Sequence, residues 1–322
     1  PELAQFSMDI DVPLPSDELD VSLALAAPVA PPGGAASFTV SLRDAAGAQA
    51  VTFQEYDWTV LELAQRIEGG GDLDLASIKG LGWRREDGEL IQNEERPKQA
   101  DISGLPHVAR VYKKHLFGHW KRYFYAITRS PVVTIVTGRG CPYTCTYCLF
   151  PQTLTGHGYR KRSVEAVVDE FKYIEREFPG VREVFVEDDT LTVDKKRCRR
   201  LAEEMIRRRV KVRWTANARC DVDLETLNLM RRAGLRLLCV GVESADQEIL
   251  DNVEKRIQVD QIERFFDDAK QADVLVHGCF MVGNPGETRG SLQRTLDFAK
   301  RLNPDTAQFF PLMVYPGTKA YE

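Results

Sequence analysis

From residue 131 onward the chain alternates short apolar runs with longer segments whose apolar positions recur at helical spacing. Runs at 132–136, 181–186, 212–216, 235–242, 274–282 and 307–314 predict six strands. The segments between them predict helices over 163–178, 194–209, 224–233, 259–272 and 291–302. In the first helix Val164, Val167, Val168, Phe171 and Ile174 share a face. In the fourth, Ile262, Phe265, Phe266 and Ala269 do so. Asp194 reads as an N-cap, and Gly234 as the residue that ends a helix. Strands apolar on both faces, separated by helices, specify repeated βα units on a parallel sheet. Right-handed crossovers curl six such units toward a barrel, and a closed barrel takes eight. The expected class is therefore α/β: a partial (β/α)6 TIM-like barrel over 131–322, open along one side.

The pattern before residue 131 is weaker. Residues 1–50 form an irregular segment of unknown role, linker-like at 28–37 (PVAPPGGAAS), with strand-like alternation at 38–42. Residues 58–67 have helical spacing and stop at Gly69-Gly70-Gly71. Residues 78–83, the turn at Asp87-Gly88 and the run after it predict a hairpin. Residues 51–105 thus form a small α/β unit, and 106–130 read as a connector.

Composition narrows the function classes. The 322 residues are 43% hydrophobic and 28% charged, with net charge −5. That describes a globular chain with a sizeable core and no overall field favouring nucleic acid or anionic membrane. No apolar run approaches the roughly 20 residues of a membrane span. No Lys or Arg precedes Arg43, which argues against a secretory signal. A start at Pro1 reads as a processed, tagged or excerpted chain. Seven cysteines, an odd number, suit a reducing compartment, so a cytoplasmic location is expected. Four of them, Cys198, Cys220, Cys239 and Cys279, are scattered and read as core.

The other three stand together in Gly140-Cys141-Pro142-Tyr143-Thr144-Cys145-Thr146-Tyr147-Cys148, directly after the first strand. Cubane iron–sulfur clusters are held by cysteine thiolates and normally take four. Three thiolates on one loop leave one iron without a protein ligand. A structural zinc site using the same thiolates with His157 is the alternative. It lacks the second C-x2-C-like knuckle that such sites usually have.

The C-x3-C-x2-C spacing at a strand end resembles the radical S-adenosylmethionine (SAM) superfamily. The resemblance implies a [4Fe-4S] cluster on Cys141, Cys145 and Cys148, which carry the catalysis. SAM would be chelated at the open iron and split into methionine and a 5′-deoxyadenosyl radical. It also implies cofactor-binding roles by position. Tyr147 matches the aromatic residue packed near the adenine. Glu187, Asp188 and Asp189 stand where the family holds the SAM ammonium. Asn217 and Arg219 follow the third strand, with Arg219 facing the SAM carboxylate. Glu243 matches the ribose-contact acid. Gly278 and Gly283 belong to the fifth strand, where backbone approaches SAM, and Tyr315 follows the sixth, beside the adenine. Each has a structural alternative: loop packing for Tyr147 and Tyr315, capping for the acids, a surface ion pair for Arg219. His277, on the fifth strand, reads as a satisfied inner-strand histidine rather than a base.

Residues 149–163, the acid cluster and the strand-five segment are similar to a narrower group. These are the cobalamin-binding-domain radical SAM proteins, close to those associated with hopanoid biosynthesis. The similarity runs over 131–320 and, more weakly, over 51–105, which resembles the end of a cobalamin domain. Most of that domain has no counterpart here. No D-x-H-x-x-G motif occurs and no histidine precedes His107. The chain is thus expected to be a fragment or divergent variant, or to take cobalamin without a histidine below it. The leading expectation is methylation or rearrangement of an unactivated carbon on a small or lipid-like substrate. A reductase or flavodoxin-type electron donor is implied. The alternatives are an RNA-modifying radical SAM enzyme, suggested by the basic run 195–209, and a non-catalytic zinc-binding module.

Overall fold

The computed structural model describes residues 20–25, 38–43, 50–69, 73–85, 87–125 and 127–322. They fall into two compact units. The first takes Pro1–Gln99, Gln152–Thr155 and Val314–Glu322, and the second Ala100–Pro151 and Gly156–Met313.

In the first unit β1 (Asp20–Leu25) and β2 (Phe38–Arg43) pair antiparallel. The linker-like stretch 28–37 lies outside the described residues. β3 (Ala50–Thr52), β4 (Leu81–Arg84) and β5 (Leu90–Gln92) form an antiparallel sheet in that order. Helix α1 (Asp57–Glu68) contributes Leu63 to a small core with Ala50, Ile78 and Leu81. The expected hairpin is present. Its second strand is set by a turn in which Glu89 N–H donates to Asp87 Oδ1 at 3.0 Å. The strand expected from residue 78 begins only at Leu81, because Gly80 turns the chain at φ +78°.

The second unit begins with the single-turn helix α2 (Val108–Val111). β6 (Val132–Ile135) follows, then β7 (Gly138–Arg139), the short helix α3 (Leu149–Thr153) and β8 (Arg160–Lys161), which pairs back on β7. After these come α4 (Val164–Glu177), β9 (Glu183–Val186), α5 (Lys195–Arg207), β10 (Arg213–Ala218), α6 (Leu224–Arg232) and β11 (Leu235–Glu243). The unit ends with α7 (Gln247–Asn252), α8 (Val259–Gln271), β12 (Leu275–Val282), α9 (Arg289–Leu302) and β13 (Thr306–Pro311). One sheet runs β13-β12-β11-β10-β9-β6, with every pairing parallel. Strands in chain order are what crossovers of one hand produce. β6 and β13 remain edges, so the barrel is partial, as expected. β13 ends at Pro311 rather than 314, although Leu312 N–H still donates to Val282 O at 2.7 Å.

The helices start where short polar side chains satisfy their first N–H groups. Ser163 accepts from Ala166 N–H, Asp194 from Arg197 N–H and Asp223 from Thr226 N–H. Thr288 and Ser291 form a reciprocal capping box on α9. Their apolar stripes bury against the outward face of the sheet. Phe171, Phe265, Phe266 and Phe298 are at most 2% exposed. Burial of each such side chain contributes about 1.5–3 kcal/mol.

Residues 106–130 are not a bare connector. Ala109 and Trp120 are buried in the barrel's core. Trp120 meets the Phe178 ring edge-on at 5.2 Å between centroids, and Ala109 N–H donates to the buried Glu170. Irregular spacing hides this docking in the sequence. The scattered cysteines also divide. Cys198 and Cys220 are buried in the core, as expected, whereas Cys239 and Cys279 are half-buried and lie outside it. Strand alternation is the reason. Leu238 and Val240 of β11, and Val276 and Phe280 of β12, face the helices. Cys239, His277 and Cys279 therefore face the barrel interior.

Candidate active site

The cysteine loop leaves the C-terminal end of β6, where reactive groups of β/α barrels gather. Its stem is held by two of the three consecutive acids after β9. Asp188 is buried and accepts from Thr137 N–H and Thr137 Oγ1, both at 2.6 Å. Burial raises its pKa, while the Thr137 donors and Arg197 oppose the rise. Asp189 accepts from Gly140 N–H at 2.7 Å. Gly140 has φ +90°, and a Cβ there would lie 2.2 Å from the Gly158 carbonyl oxygen. Only glycine allows the two ends of the loop to cross so closely. Cys141 N–H closes the crossing by donating to Gly156 O at 3.2 Å.

Cys141 and Cys145 are buried and Cys148 is half-buried. Burial raises the Cys148 thiol to about 12, helped by the nearby Cys145 and Cys141. Burial likewise raises Cys141. The buried Cys141 and Cys148 thiols thus keep their protons until cations arrive, and an iron–sulfur cluster supplies those cations. Among the described residues, the one group of donors within 4.8 Å of one another is Cys239, His277 and Cys279. The loop's sulfurs are spaced more widely, which suits a cube rather than a single zinc ion. His157 turns its Nδ1 to the carbonyl oxygens of Cys141 and Tyr143, at 3.2 and 3.1 Å.

Tyr147 ties this loop to the end of β11. Its hydroxyl donates to Glu243 Oε1 at 2.9 Å, and Lys255 Nζ donates to the same oxygen at 2.7 Å. Glu243 stands at φ +65°, unusual for a residue with a side chain. Its second oxygen, Oε2, is buried without a partner. A buried acceptor aimed from a strand end beside the cysteines fits a ligand hydroxyl, such as those of a ribose. A Cβ at Gly241 would sit 2.1 Å from Glu243 Oε1, so that glycine makes room for the carboxylate. Thr146 N–H, donating to Val253 O at 3.0 Å, adds a backbone tie between the loop and α7.

The other expected site residues separate. Glu187 stands on the lumen-facing side of β9's end, where partial desolvation of its carboxyl raises the pKa above the ordinary range. Asn217 donates to Asp188 O at 3.2 Å. Arg219 stacks its guanidinium on the Tyr143 ring, 3.7 Å from the centroid. It donates to the carbonyl oxygens of Lys255 and Arg256, while its Nε is buried without a partner. Its observed work is to join the cysteine loop to the segment carrying Lys255. Gly278 sits mid-strand, where a Cβ would meet Phe280 and Pro304 on the helix-facing side. Close packing, rather than approach to a nucleoside, accounts for that glycine. Gly283 makes a left-handed turn at φ +86° and donates its N–H to Glu287. Tyr315 belongs to the first unit and is part-exposed. Lys255 carries no motif, and Tyr143, although inside the cysteine run, shows no role in the sequence because its partner Arg219 is remote along the chain.

A partial parallel barrel with three cysteines on the loop after its first strand defines a class: proteins that pair an iron–sulfur cluster with SAM. Residues 135–299, half of the chain, match the Radical SAM superfamily, and the chain belongs to that superfamily. It is 30% identical over 284 residues to an uncharacterized methyltransferase of Pyrococcus horikoshii, covering 88% of this chain and 59% of that protein. It is 27% identical to the anaerobic magnesium-protoporphyrin IX monomethyl ester cyclase of Rubrivivax gelatinosus, covering 87% and 50%. The chain thus spans little more than half the length of these relatives. Its fold is similar to that of the radical SAM methyltransferase TsrM of Kitasatospora setae. The TM-score is 0.69 at 22% identity, over 84% of this chain and 55% of that one.

Membership implies a [4Fe-4S] cluster and SAM, and the residues present fit both. Cobalamin occurs in the TsrM structure. In this chain no imidazole precedes His107, so no described residue of the first unit's N-terminal part offers a histidine to cobalt.

Proposed function

We propose that the barrel cleaves SAM reductively and directs the resulting radical at an unactivated carbon of a small organic substrate. Cys141, Cys145 and Cys148 would hold the cluster. When bound, the cluster supplies the electron that separates methionine from a 5′-deoxyadenosyl radical. The chain's own part is binding, orientation and exclusion of water. Glu243 Oε2 accepts from the ribose hydroxyls while Oε1 stays locked to Lys255 and Tyr147. Tyr147, fixed by that pair, flanks the adenine. Glu187 faces the SAM ammonium.

Methyl transfer is the proposed outcome, supported by the relatives named as methyltransferases. A lipid-like substrate is the class proposed for the open side of the barrel. A reductase or flavodoxin-type protein would deliver the electron. A reducing, cytoplasmic compartment is proposed with it. Among the described residues no helix is long and apolar enough to cross a membrane.

RNA modification is the weaker reading, because the basic run on α5 is largely engaged. Arg197 is buried and donates to the carbonyl oxygens of Thr137 and Arg162. Arg199 pairs with Asp223 and Glu225, Arg207 with Glu204 and Arg208 with Asp169.

The observation that carries the proposal is a loop with three cysteines tied through Tyr147 to a buried, half-satisfied Glu243. Anaerobic incubation of iron- and sulfide-reconstituted protein with SAM and dithionite tests it. 5′-Deoxyadenosine is expected from the wild type and not from Cys145→Ala. A colourless protein that carries zinc on this loop and makes no 5′-deoxyadenosine would end the proposal.

A further inference from the structure

A second set of donors lies inside the same barrel and takes no part in the cluster site. Cys239 of β11 stands in register with His277 of β12, and Cys279 follows two residues on. The Cys239 and Cys279 sulfurs are 3.8 Å apart. One donor atom from each of the three residues lies within 4.8 Å of the others. His277 is buried, and its Nδ1 is 2.7 Å from Thr306 Oγ1 on β13.

We propose that Cys239, His277 and Cys279 form a zinc(II) site. Two thiolates about 2.3 Å from one tetrahedral zinc lie about 3.8 Å from each other. The sulfurs already stand at that separation. A hydrogen-bonded thiol pair would account for the sulfurs but not for the imidazole completing the triangle. Thr306 supplies the outer support such sites use. By accepting the Nδ1 proton it orients the ring and leaves Nε2 to the metal. Soft thiolate and imidazole donors select zinc over magnesium or calcium. On binding, each thiol releases its proton, and two thiolates neutralise the charge of the ion. That neutrality suits a half-buried place between strands. Three protein ligands leave a fourth position on the lumen side for water or a substrate donor atom.

The test is elemental analysis of anaerobically purified, cluster-loaded protein, with zinc and iron counted separately. The wild type should hold about one zinc per chain in addition to its iron. The double variant Cys239→Ser/Cys279→Ser should lose the zinc and keep the iron. The triple variant Cys141→Ala/Cys145→Ala/Cys148→Ala should do the reverse, which excludes zinc misplaced on the cluster loop. Should the double variant misfold, cobalt(II) replaces zinc in the wild type and in His277→Gln. Thiolate-to-cobalt charge-transfer bands of a tetrahedral site are expected, and they should shift in the variant. Absence of zinc from the wild type, zinc retained by the folded double variant, or cobalt bands unmoved by His277→Gln would each overturn the assignment. So would a Cys239–Cys279 disulfide, or free alkylation of both thiols, in zinc-replete protein.

Discussion

Lys255 Nζ lies 2.7 Å from Glu243 Oε1, with both side chains less than one-tenth exposed. Two opposite charges are thus buried together at the end of β11, and the Tyr147 hydroxyl contacts both. Taking charges out of water is costly, and only the partner offsets that cost. Glu243 makes this pair from a left-handed backbone conformation, φ +65°.

Breaking the pair on one side should cost more than removing it whole. Glu243→Gln leaves an unpaired buried ammonium and is expected to lower stability by about 3–5 kcal/mol. Glu243→Gln/Lys255→Met should recover much of that loss, because the orphaned charge is gone. Urea unfolding of the single and double variants measures the difference. Equal destabilisation in both would show that the pair is not the source.

Gly140→Ala should damage the cluster loop, whereas Gly158→Ala should not. The first substitution adds a Cβ to a residue at φ +90° and drives it into the Gly158 carbonyl oxygen. The left-handed conformation alone costs about 1–2 kcal/mol for a residue with a side chain. At Gly158 a Cβ meets nothing within 4 Å. Iron content after reconstitution is the readout, with a clear fall expected only for Gly140→Ala.

Asp188→Asn should loosen the stem of the same loop. The carboxylate takes two hydrogen bonds from Thr137, which an amide cannot accept with equal strength. Hydrogen bonds to a charged group contribute about 1.5–3 kcal/mol each. A loss of about that size in unfolding free energy, with slower uptake of iron, is expected. Unchanged stability would mean that Asp188 is protonated in the folded protein and bonds little more strongly than an amide.

Asp223 links stability to acid. Burial pulls its carboxyl upward, but the Thr226 donors and Arg199 outweigh that pull and hold it below its ordinary 3.8. A lowered carboxylate stabilises the fold fully above the unfolded value, and the contribution fades as pH falls through the lower folded value. Asp223→Ala should therefore cost about 1 kcal/mol at neutral pH, and progressively less as the pH drops below 3.8. Asp223→Asn should keep most of the cap and flatten the acid dependence. Thermal unfolding across pH 3 to 7, roughly the titration range of a carboxylate, distinguishes the two.

Much of the barrel was legible in the chain because its signals are local. Val164, Val167, Val168, Phe171 and Ile174 declare a helix by spacing alone, and each is buried. The cysteine loop is equally local, since its three thiols stand within eight residues. The roles of the acids were less legible. A run of Glu187, Asp188 and Asp189 carries no sign of which member turns back to Thr137 and Gly140 and which faces the lumen. Residues 106–130 hid their docking for a similar reason: Trp120 finds its partner in Phe178, far along the chain.

Local composition and periodicity determined the alternation of strands and helices and the three cysteines of one loop, because each depends on neighbours a few residues away. The tertiary structure decided what depends on strand register and crossovers. It set Lys255 against Glu243 and Arg219 against Tyr143. It also gathered Cys239, His277 and Cys279 from adjacent strands. A one-residue slip of either strand would turn those side chains toward the helices.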